Sequence, residues 1–594
     1  MNNSWGRLGF CLAVVCVLYA FHVRVKTAKI FANPTWNRQD EVGQFWSECA
    51  FHYRFAKFFA THSATEWNRL TRDREVQFPD AIDDWAEFTV AMEVPVGVLY
   101  RWLKPAIPFH VFVVWYDCLV SSLSLFAIFF LARALWRNDA AGVFASALYA
   151  SLYPSYGRTV KNLFLREDFA IPLIIFALFF TVQALQTRKT VSQIFAALFW
   201  LAALASWHLT QFVMAPLVLA AVLVYLGKGE TPRIPWMVLL LAAGAVLVPV
   251  LRAKQFYLSP TMSVLYALSL AVWIDGGRRR ATILFAGWLA VFVGLNALLQ
   301  KSFGEYGHVY QLFLYKLRFL GVKPTDPAAM PWDARLLWEG AFETARRSEW
   351  WHSLMWCLPL TPVSMWLALR RESVKPVVGR TALRVMVIFT VLLFGLSWMV
   401  VRYFTFLGFA AAVMTSGLVT RRAVGKLAVF ALTVWQLTTL NFRPLERQQP
   451  APAEYRPVVT WLRENTTSNA VVLGSISDSP VFLAHANRPI IMHSKFENRR
   501  IRQRYEEMLS AIYGRETQFA EFAHKYRADF FIFDTDFLYA GGDSRRYKAN
   551  RLGPLDPNCA AMLFAEHPEQ LRDFKLETAD STFAVFRVLK APSL

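Results

Sequence analysis

Apolar runs separated by short polar loops fill the first three quarters of the chain. The first run is LGFCLAVVCVLYAFHV at residues 8–23, and a dozen more follow, most of them about long enough to cross the hydrocarbon core of a bilayer. The pattern predicts a polytopic α-helical membrane protein with about thirteen transmembrane helices. We expect the helices to start near Leu8, Phe109, Ala140, Phe169, Gln193, Leu209, Pro235, Thr261, Ala281, Trp351, Val385, Phe404 and Gly425.

The pattern changes after the last apolar run. A Pro-rich linker at residues 443–455 follows the membrane module of residues 1–442 and precedes a more polar segment at 456–594. Within this segment we predict helices in RPVVTWLREN and at 478–486 and 499–513. Strands are predicted in AVVLGS, RPIIMH, DFFIFD and STFAVFRVL. The mixture of elements predicts a soluble C-terminal α/β domain.

Composition agrees with a membrane protein. The chain has 594 residues, of which 55% are hydrophobic and 18% charged, whereas soluble domains carry about 25% charged residues. The net charge of +20 would suggest nucleic acid in a soluble protein. Here many basic residues lie in short loops between apolar runs, as at Arg188 and Lys189, where the positive-inside rule accounts for them. We therefore expect a lipid environment and no nucleic-acid partner.

The basic loops also predict an orientation. An odd number of spans with a cytoplasmic N-terminus places three long segments on the non-cytoplasmic side. These are the first outer loop at 24–108, the long outer loop at 300–350 and the C-terminal domain. A site on that side would face the ER lumen or, in a bacterium, the periplasm or exterior. The loop charges fit either membrane.

Several common chemistries lack their sequence signals. The six cysteines are scattered, with no CxxC spacing and no histidine at metal-ligand intervals, so we expect neither a zinc site nor a disulfide framework. The sequence contains no P-loop, no HExxH and no GxSxG. Nucleotide-driven transport and the common hydrolase mechanisms therefore lose support.

Acidic residues stand out in the first outer loop. Asp40 and Glu41 directly precede an amphipathic stretch that could lie in the membrane interface. One interpretation is that an acid here faces a lipid-borne substrate. The alternative is that both residues cap the following helix, whose dipole favours negative charge.

A second cluster of charges precedes the fourth apolar run, in GRTVKNLFLREDFAIPL. It contains Arg158, Lys161, Arg166, Glu167 and Asp168. Charges at that depth need partners or a polar cavity. A guanidinium fits a phosphate bidentately, so Arg166 is a candidate for the phosphate of a lipid donor. A surface ion pair or a snorkelling side chain explains the same residues equally well.

Two further positions lie at the predicted membrane boundary. SWHLTQF, with Trp207, His208 and Gln211, forms a short outer connection, and Arg402 separates two apolar runs. A histidine there is either a hydrogen-bonded structural residue or part of a site. An arginine at the boundary indicates a functional site or a contact with a lipid headgroup.

These clusters, in this order, resemble the protein C-mannosyltransferase family, Dumpy-type relatives within the GT-C class of glycosyltransferases. The resemblance extends over nearly the whole chain and depends on six short motifs. They are Glu41-Val42-Gly43, EVPVGVLYRWL with Tyr100 and Arg101, LREDFAIP with Arg166, SWHLTQF, VRYFTFLGF with Arg402, and RPIIMHSKFEN with Arg488, Pro489, His493 and Glu497. The sequence departs from the family pattern at Ser206, His208, Lys495 and Asn498, which is typical of a divergent member.

The resemblance implies a GT-C fold and the transfer of mannose, or a related hexose, from a dolichyl- or polyprenyl-phosphate donor. The implied acceptor is a protein or peptide, with attachment to C2 of the first tryptophan of a Trp-x-x-Trp segment and inversion at the anomeric carbon. By resemblance, Glu41 is the catalytic carboxylate, with Asp40 a second candidate. Arg166, Arg402 and His208 are expected at the donor phosphate. The remaining expected pocket residues are Trp207, Gln211, Tyr100, Arg101, His493 and Glu497.

The same resemblance predicts an enzyme without a cofactor and without a metal, because arginines can neutralise the leaving phosphate. Three other interpretations stay open. Another GT-C enzyme could use a hydroxyl, amide or glycan acceptor. Oligosaccharyltransferases normally carry a Trp-Trp-Asp motif after the last apolar run, and this sequence has none there. Its only Trp-Trp pair, Trp350 and Trp351, lies far from that place. A carrier or flippase usually has repeated halves, and no internal repeat is visible. A structural scaffold is the remaining alternative.

Overall fold

The computed structural model describes residues 3–32, 40–42, 44–157, 164–228, 232–274, 278–299, 306–374, 380–420, 431, 454–534 and 542–589. Helices dominate up to residue 420. The α-helices of this part are α1 (Asn3–Ala32), α2 (Ser47–Thr61), α3 (Asp84–Glu87), α4 (Glu93–Leu103), α5 (Phe109–Trp136), α6 (Asp139–Ser151), α7 (Arg166–Thr187), α8 (Thr190–Ser206), α9 (Thr210–Lys228), α10 (Pro235–Leu247), α11 (Pro249–Ala253), α12 (Pro260–Ile274), α13 (Arg278–Leu299), α14 (Gly307–Arg318), α15 (Trp332–Leu337), α16 (Arg347–Leu354), α17 (Cys357–Val374), α18 (Arg380–Met399) and α19 (Phe404–Thr415).

Short 3-10 turns connect or extend these helices. They lie at Ala64–Arg72, Tyr153–Ser155, Phe256–Leu258, Pro327–Ala329, Gly340–Phe342, Val401–Tyr403 and Ser416–Thr420, with another at Pro568–Gln570 near the end of the chain. The turn at Val401–Tyr403 joins α18 to α19 and carries Arg402.

Seven segments of the described chain are long and apolar enough to cross a membrane. They are Arg7–Val25, Phe109–Trp136, Arg166–Thr187, Thr210–Gly227, Thr282–Leu299, Arg380–Met399 and Val401–Thr420. Three predicted spans are shorter apolar helices of 10–17 residues, α8, α10 and α12. The protein is therefore an integral membrane protein with several crossing helices, and the predicted count of thirteen is not confirmed.

Some predictions fall on parts of the chain outside the described residues. The predicted span near Gly425 and residues 443–453 of the linker are among them. So are Gly43 of the first motif and Arg158 and Lys161 of the second charge cluster.

The first outer loop folds around a close crossing of α2 and α4. A side chain at Gly97 would place its Cβ 2.6 Å from the Cβ of Phe59 and 2.7 Å from the carbonyl oxygen of Ala56. Only glycine permits this approach. The crossing brings the first turn of α4, with the buried Glu93, against the middle of α2.

The C-terminal segment contains a small mixed sheet. Its strands are β1 (Val472–Leu473), β2 (Phe530–Asp534), β3 (Phe574–Ala579) and β4 (Phe583–Val588), in the spatial order β1-β2-β4-β3. The β1-β2 pair is parallel, and the other two pairs are antiparallel. The accompanying helices are Tyr455–Asn465, Ser479–Val481, Arg499–Ile512, Glu516–Lys525, Gly542–Lys548 and Ala560–Glu566, with a π-helical turn at Phe482–Ala486.

Most predicted C-terminal elements are observed, although the sequence did not predict the helices Glu516–Lys525, Gly542–Lys548 and Ala560–Glu566, and two strands differ. The strand predicted in RPIIMH is only an isolated parallel bridge between Ile490 and Val472. On its other side the backbone N–H of Ile490 donates to the carbonyl of Glu75 in the first loop. The strand β3 was not predicted, since its sequence FKLETA is largely exposed and lacks a long apolar run.

The C-terminal segment and the first loop share one hydrophobic core. Phe45, Phe51 and Phe59 from α2 and its approach belong to the same buried cluster as Phe482 and Ile532. Because a sheet edge and a loop are buried together, side chains from the two ends of the sequence meet at the surface of the membrane helices. The division into a membrane module and a separate C-terminal domain stays a prediction.

Candidate active site

A cavity of about 380 Å³ lies where the first loop, the ends of the apolar helices, the long loop and the C-terminal segment meet. Its wall combines charged and aromatic side chains. The polar members include Glu48, His208, Tyr306, His308, Glu339, Arg402, Lys495, Glu497 and Lys548, and the aromatic members include Trp207, Phe212, Phe342 and Phe496. The volume suits a ligand of several rings.

Glu48 is the cavity carboxylate supplied by the first loop. It lies in the first turn of α2, where the helix dipole favours a negative charge. The preceding residue, Ser47, has a left-handed backbone with φ of 50°, which is strained for a residue other than glycine. This kink begins the helix and brings both residues to the cavity wall.

Lys495 comes from the C-terminal segment and contacts Glu48 directly. Its ammonium also lies 2.9 Å from Nε2 of His52. The opposite ring nitrogen, Nδ1 of His52, lies 2.5 Å from Oε1 of Glu93. The side chains of Lys495, His52 and Glu93 are all within 1% of full burial. A continuous line of polar contacts therefore extends from the cavity into the core of the first loop.

The electrostatic environment keeps Glu48 ionised. Burial would raise the pKa of Glu48, but the charge of Lys495, the nearby His52 and the charge of Arg402 together hold it well below its usual range. Burial lowers the pKa of Lys495, and the neighbouring Arg166 lowers it further, while Glu48 and Glu497 oppose the shift. The cavity thus contains an acid and a base that stabilise each other's charge.

Arg402 supplies a cation to the same cavity. Its Nε donates to Oε1 of Glu167 at 2.8 Å, and its guanidinium lies 5.1 Å from the ring centre of Trp207 and 5.5 Å from that of Phe342. The side chain is 13% exposed. An arginine fixed between two aromatic rings, with donors left over, is suited to bind a phosphate.

Arg166 lies behind this wall and does not line the cavity. It is 2% exposed, and its Nε and Nη2 have no hydrogen-bond acceptor among the described residues. Oε1 of Glu93 lies 3.8 Å from Nε. The alternative of a surface ion pair or a snorkelling side chain is wrong, since Arg166, Glu167 and Asp168 are all buried.

Buried charges fix the start of α7, where these residues lie. The backbone N–H of Phe164 donates to Asp117 at 3.2 Å, and that of Leu165 donates to Asp168 at 3.1 Å. Arg24 of α1 lies close to the two carboxylates and contacts the carbonyl of Ser155. Acceptors for the free backbone N–H groups stabilise the end of a helix. This arrangement holds Arg166 and Glu167 in place.

His208 and Trp207 both line the cavity. Nδ1 of His208 lies 2.6 Å from the hydroxyl of Tyr306, the residue that precedes α14. Burial lowers the pKa of His208 to about 3, so the ring is neutral near pH 7. His208 is therefore hydrogen-bonded and also lines the cavity, and its role at the donor phosphate stays a prediction.

Glu497 is the second acid of the cavity. Burial would raise the pKa of Glu497, but His208, Lys495 and Arg166 outweigh burial and lower it to about 2. Lys495 and Glu497 lie two positions apart and both line the cavity. The backbone N–H of Lys495 donates to Nδ1 of His493 at 3.2 Å, which fixes this part of the chain. His493 itself is buried between Phe51 and Phe88, outside the cavity wall.

The structure places Glu41 and Asp40 away from the cavity wall. Glu41 accepts hydrogen bonds from Tyr53 and Lys57, each at 2.7 Å. Asp40 accepts from the backbone N–H of Val42 and pairs with Arg456 at 2.8 Å. Neither caps α2, which begins after Trp46 without a side-chain cap. The predicted catalytic role of Glu41 is not tested by these contacts and stays a prediction.

Three other predicted pocket residues also lie outside the wall. The hydroxyl of Tyr100 donates to the carbonyl of Ile107 at 3.0 Å, and Arg101 contacts the carbonyl of His62. Gln211 is buried in the first turn of α9, and its Nε2 has no hydrogen-bond partner among the described residues. The structure therefore brings together Trp207, His208, Arg402 and Glu497, four of the eleven predicted site residues.

Sequence reasoning missed Glu48 and Lys495. Glu48 stands seven positions after Glu41 in the same loop, and an acid in the first turn of a helix is too common to single it out. Lys495 was noted only as a departure from the family pattern. Its contact with Glu48 spans 447 positions of sequence and could not be read from local composition.

Within the described ranges, no group of three or more His, Cys, Asp or Glu side chains is arranged to hold a metal ion. The expectation of a metal-independent site stays a prediction.

A family match and the fold together define the class of this protein as a membrane glycosyltransferase with a GT-C fold. Residues 13–323 match the family Dpy19, described as Q-cell neuroblast polarisation. This match covers more than half of the chain, so the protein belongs to the Dpy19 family, the C-mannosyltransferase family that its motifs resemble. It is a glycosyltransferase of the kind that uses lipid-linked sugars. No curated protein matches the chain significantly.

Solved structures support the fold. The archaeal oligosaccharyltransferase AglB from Archaeoglobus fulgidus, in complex with an inhibitory peptide and a dolichol-phosphate, superposes with a TM-score of 0.65 at 11% identity, covering 91% of this chain and 71% of that one. The apo form of the Archaeoglobus fulgidus oligosaccharyltransferase gives 0.56 at 12% identity, covering 93% and 72%.

Proposed function

We propose that this protein transfers a mannose, or a related hexose, from a polyprenyl- or dolichyl-phosphate donor to C2 of a tryptophan indole in a protein segment of the Trp-x-x-Trp type. One observation carries the proposal. A fixed cation, Arg402, and an ionised carboxylate, Glu48, line one cavity together with Trp207 and other aromatic side chains. Family membership supports the choice of sugar donor and acceptor.

The reaction has two electrostatic demands that this cavity meets. The bond between the anomeric carbon and the phosphate oxygen breaks, and the phosphate leaves with the electron pair. The indole C2 forms a carbon–carbon bond from the opposite face, with inversion, and its hydrogen then leaves as a proton. Positive charge must stabilise the leaving phosphate, and a base must accept the proton.

Arg402 is our candidate for the phosphate. Its Nη donors are not used in the bond to Glu167, which takes Nε, so they are free to bind donor oxygens. Arg166 lies behind the wall with a buried guanidinium that has unfilled donors, and it adds positive potential. His208, neutral at pH 7, would act as a hydrogen-bond donor or acceptor at the same ligand.

Glu48 is our candidate for the base. It lines the cavity and stays ionised, whereas Glu41 is engaged by Tyr53 and Lys57 elsewhere. We therefore favour Glu48 over Glu41 and Asp40 for the catalytic carboxylate. Glu497 is the second carboxylate in reach of the cavity, and a role in orienting the acceptor or the sugar hydroxyls suits it.

The aromatic wall suits the acceptor. Trp207, Phe212 and Phe342 offer flat surfaces on which an indole can pack, and aromatic pairs contribute about 0.5–1.5 kcal/mol beyond the area they bury. Tyr306 adds a hydroxyl that contacts His208. A site on the non-cytoplasmic side, without a metal or a cofactor, completes the proposal.

The test uses purified protein, polyprenyl-phosphate-mannose and a synthetic Trp-x-x-Trp peptide. Mass spectrometry of the peptide distinguishes a C-linked hexose, which fragments across the ring, from an O- or N-linked one, which is lost whole. We expect wild type to attach a C-linked hexose, Glu48→Gln to lose it, and Glu41→Gln to retain it. The matched control is Glu66→Gln, at an acid of the first loop that caps its own turn.

Each alternative has its own outcome. Loss of transfer in Glu41→Gln with retention in Glu48→Gln would return the catalytic role to Glu41. A hexose that is lost whole on fragmentation would indicate an O- or N-linked product, and so a different acceptor for an enzyme of the same fold. Transport of the lipid donor across vesicles without transfer would favour a carrier or flippase.

A further inference from the structure

The line of contacts from Glu48 into the first loop has a defined hydrogen-bond direction. The ammonium of Lys495 can only donate, so it donates both to Glu48 and to Nε2 of His52. Nε2 of His52 is then the acceptor, and Nδ1 carries the hydrogen that it donates to Glu93 at 2.5 Å. The tautomer of His52 is thereby fixed by its two neighbours.

The same line is balanced in charge. Glu48 and Glu93 carry the negative charges, and Lys495 and Arg166 carry the positive charges. His52 between them is neutral, because burial, followed by the charges of Lys495 and Arg166, lowers its pKa. Arg166 faces Glu93 at 3.8 Å. Removing Lys495 would take away the cation in direct contact with Glu48, which favours protonation of that carboxylate.

We propose that Lys495 is a positioning residue that holds the Glu48 carboxylate in the cavity in its ionised form, and that His52 and Glu93 hold Lys495 in turn. The role of Glu48 as base rests on the function proposed above. The positioning of Glu48 rests only on the contacts, which join α2, α4 and the C-terminal segment.

Several groups could compete with Lys495 for this role. Glu48 is faced by His52, whose Nε2 lies 3.5 Å away, and by the charge of Arg402. Lys495 is faced by Arg166, Glu48 and Glu497 and lies beside His493. Arg402 already pairs with Glu167, and His52 is neutral. Lys495 is thus the charged residue that contacts the Glu48 carboxylate directly.

The proposed reaction gives this contact a consequence. When Glu48 takes the indole proton it becomes neutral and loses its attraction to the ammonium, whose bond to His52 remains. The ammonium then favours release of the proton from Glu48 to water, and the base returns to its ionised form for the next acceptor.

The experiment reads the protonation of Glu48 without any substrate. A water-soluble carbodiimide couples a small amine to protonated carboxyl groups, and peptide mass spectrometry measures the labelled fraction of Glu48 between about pH 5 and 8. We expect little labelling in wild type. Lys495→Met should raise the labelled fraction about tenfold or more at the acidic end, since one unit of pKa is a tenfold change. Lys495→Arg, which keeps the charge, should restore resistance.

Two further variants keep the test decisive. Lys525→Met removes a lysine of an exposed ion pair with Glu507 and should label Glu48 as wild type does. If Lys495→Met does not fold, His52→Phe is the second variant. It replaces imidazole by a phenyl ring and removes Nε2, the acceptor of the bond from Lys495. We expect it to raise the labelling of Glu48 by a smaller factor. If Glu48 in a folded Lys495→Met or His52→Phe variant is labelled with the same pH dependence as in wild type, the proposal is overturned.

Turnover gives the second readout. With polyprenyl-phosphate-mannose and the Trp-x-x-Trp peptide, the acidic limb of the kcat profile should move to higher pH in Lys495→Met and return in Lys495→Arg. A purely structural lysine would lower kcat at every pH alike, which would contradict the proposal. If wild type transfers no hexose, the proposed function fails, while the labelling experiment still decides whether Lys495 holds Glu48 ionised.

Discussion

The guanidinium of Arg402 donates through Nε to Oε1 of Glu167 at 2.8 Å. Arg402 belongs to the turn between α18 and α19, and Glu167 to the first turn of α7. The pair therefore joins two segments 235 positions apart at the wall of the cavity. It also orients the guanidinium so that its outer nitrogens are available to a ligand.

This pair predicts a separation of stability from activity. Arg402→Met removes the guanidinium that donates to the buried Glu167, so we expect the free energy of unfolding to fall by about 1–3 kcal/mol. The double variant Arg402→Met/Glu167→Gln should regain part of that loss, because the buried carboxylate is then a neutral amide. Activity should stay about a hundredfold or more below wild type in both variants, since the phosphate loses its cation. Thermal unfolding and the mannose-transfer assay measure the two effects.

Recovery of both quantities in the double variant would contradict this prediction, because it would mean that Arg402 acts only through the fold. Arg402→Lys is the matched control. It keeps a point charge but not the fork of donors, so we expect stability near that of wild type and an intermediate rate.

Buried His493 predicts a dependence of stability on pH. Burial, followed by Lys495, lowers the pKa of His493 to about 3, whereas an unfolded histidine titrates near 6.5. Between these values the unfolded chain binds a proton that the folded chain does not, so stability falls as pH decreases from about 6.5. At pH 5 the expected loss from this residue is about 2 kcal/mol relative to pH 7.

Thermal unfolding of wild type and His493→Phe across this range measures the effect. The variant should lose stability less steeply below pH 6.5, while His567→Phe, at an exposed histidine, should follow wild type. Equal slopes for wild type and His493→Phe would show that the buried ring is not the group that titrates. The acids Glu41, Glu48 and Glu497, whose pKa values are lowered, add a further loss only at more acidic pH.

The crossing of α2 and α4 predicts that Gly97→Ala is destabilising. The added Cβ would lie 2.6 Å from the Cβ of Phe59 and 2.7 Å from the carbonyl of Ala56, so the helices must move apart. We expect a loss of about 1–3 kcal/mol in the free energy of unfolding. Gly294→Ala is the matched control in a helix, because its Cβ would meet nothing within 4 Å. A change of the same size in both variants would refute the packing argument.

Fixed cations in the cavity predict that activity does not require a divalent metal. Arg402 can neutralise the leaving phosphate in the place that Mg²⁺ or Mn²⁺ occupies in other transferases. We expect the transfer rate to be unchanged after dialysis against EDTA and after addition of Mg²⁺ or Mn²⁺. Loss of activity on chelation, followed by recovery with a divalent cation, would show that this expectation is wrong.

Much of the architecture could be predicted from local composition. Seven apolar segments lie where the hydropathy pattern predicts spans, because a bilayer selects length and polarity residue by residue. The shorter helices α8, α10 and α12 are less certain from sequence, since part of their apolar surface is buried by protein rather than lipid. The strands β2 and β4 were also predictable from their β-branched and aromatic runs.

The site was only partly predictable. Trp207, His208 and Arg402 stand at ends of apolar segments, where a polar residue is costly and therefore informative. Glu48 gave no such signal, because an acid in the first turn of a helix is common. Tyr100 and Arg101 matched a motif by wording, yet their side chains hold backbone carbonyls of the first loop.

By itself the sequence determined that this protein is an integral membrane protein, and its motifs placed it in the C-mannosyltransferase family, because hydropathy and short motifs are local properties. Only the tertiary structure decided which carboxylate reaches the cavity. Glu41 and Glu48 are close in sequence and alike in chemistry, but α2 directs Glu48 toward Arg402 and leaves Glu41 with Tyr53 and Lys57. The partner of Glu48, Lys495, comes from the other end of the chain, and such a contact depends on how the first loop and the C-terminal segment share one core.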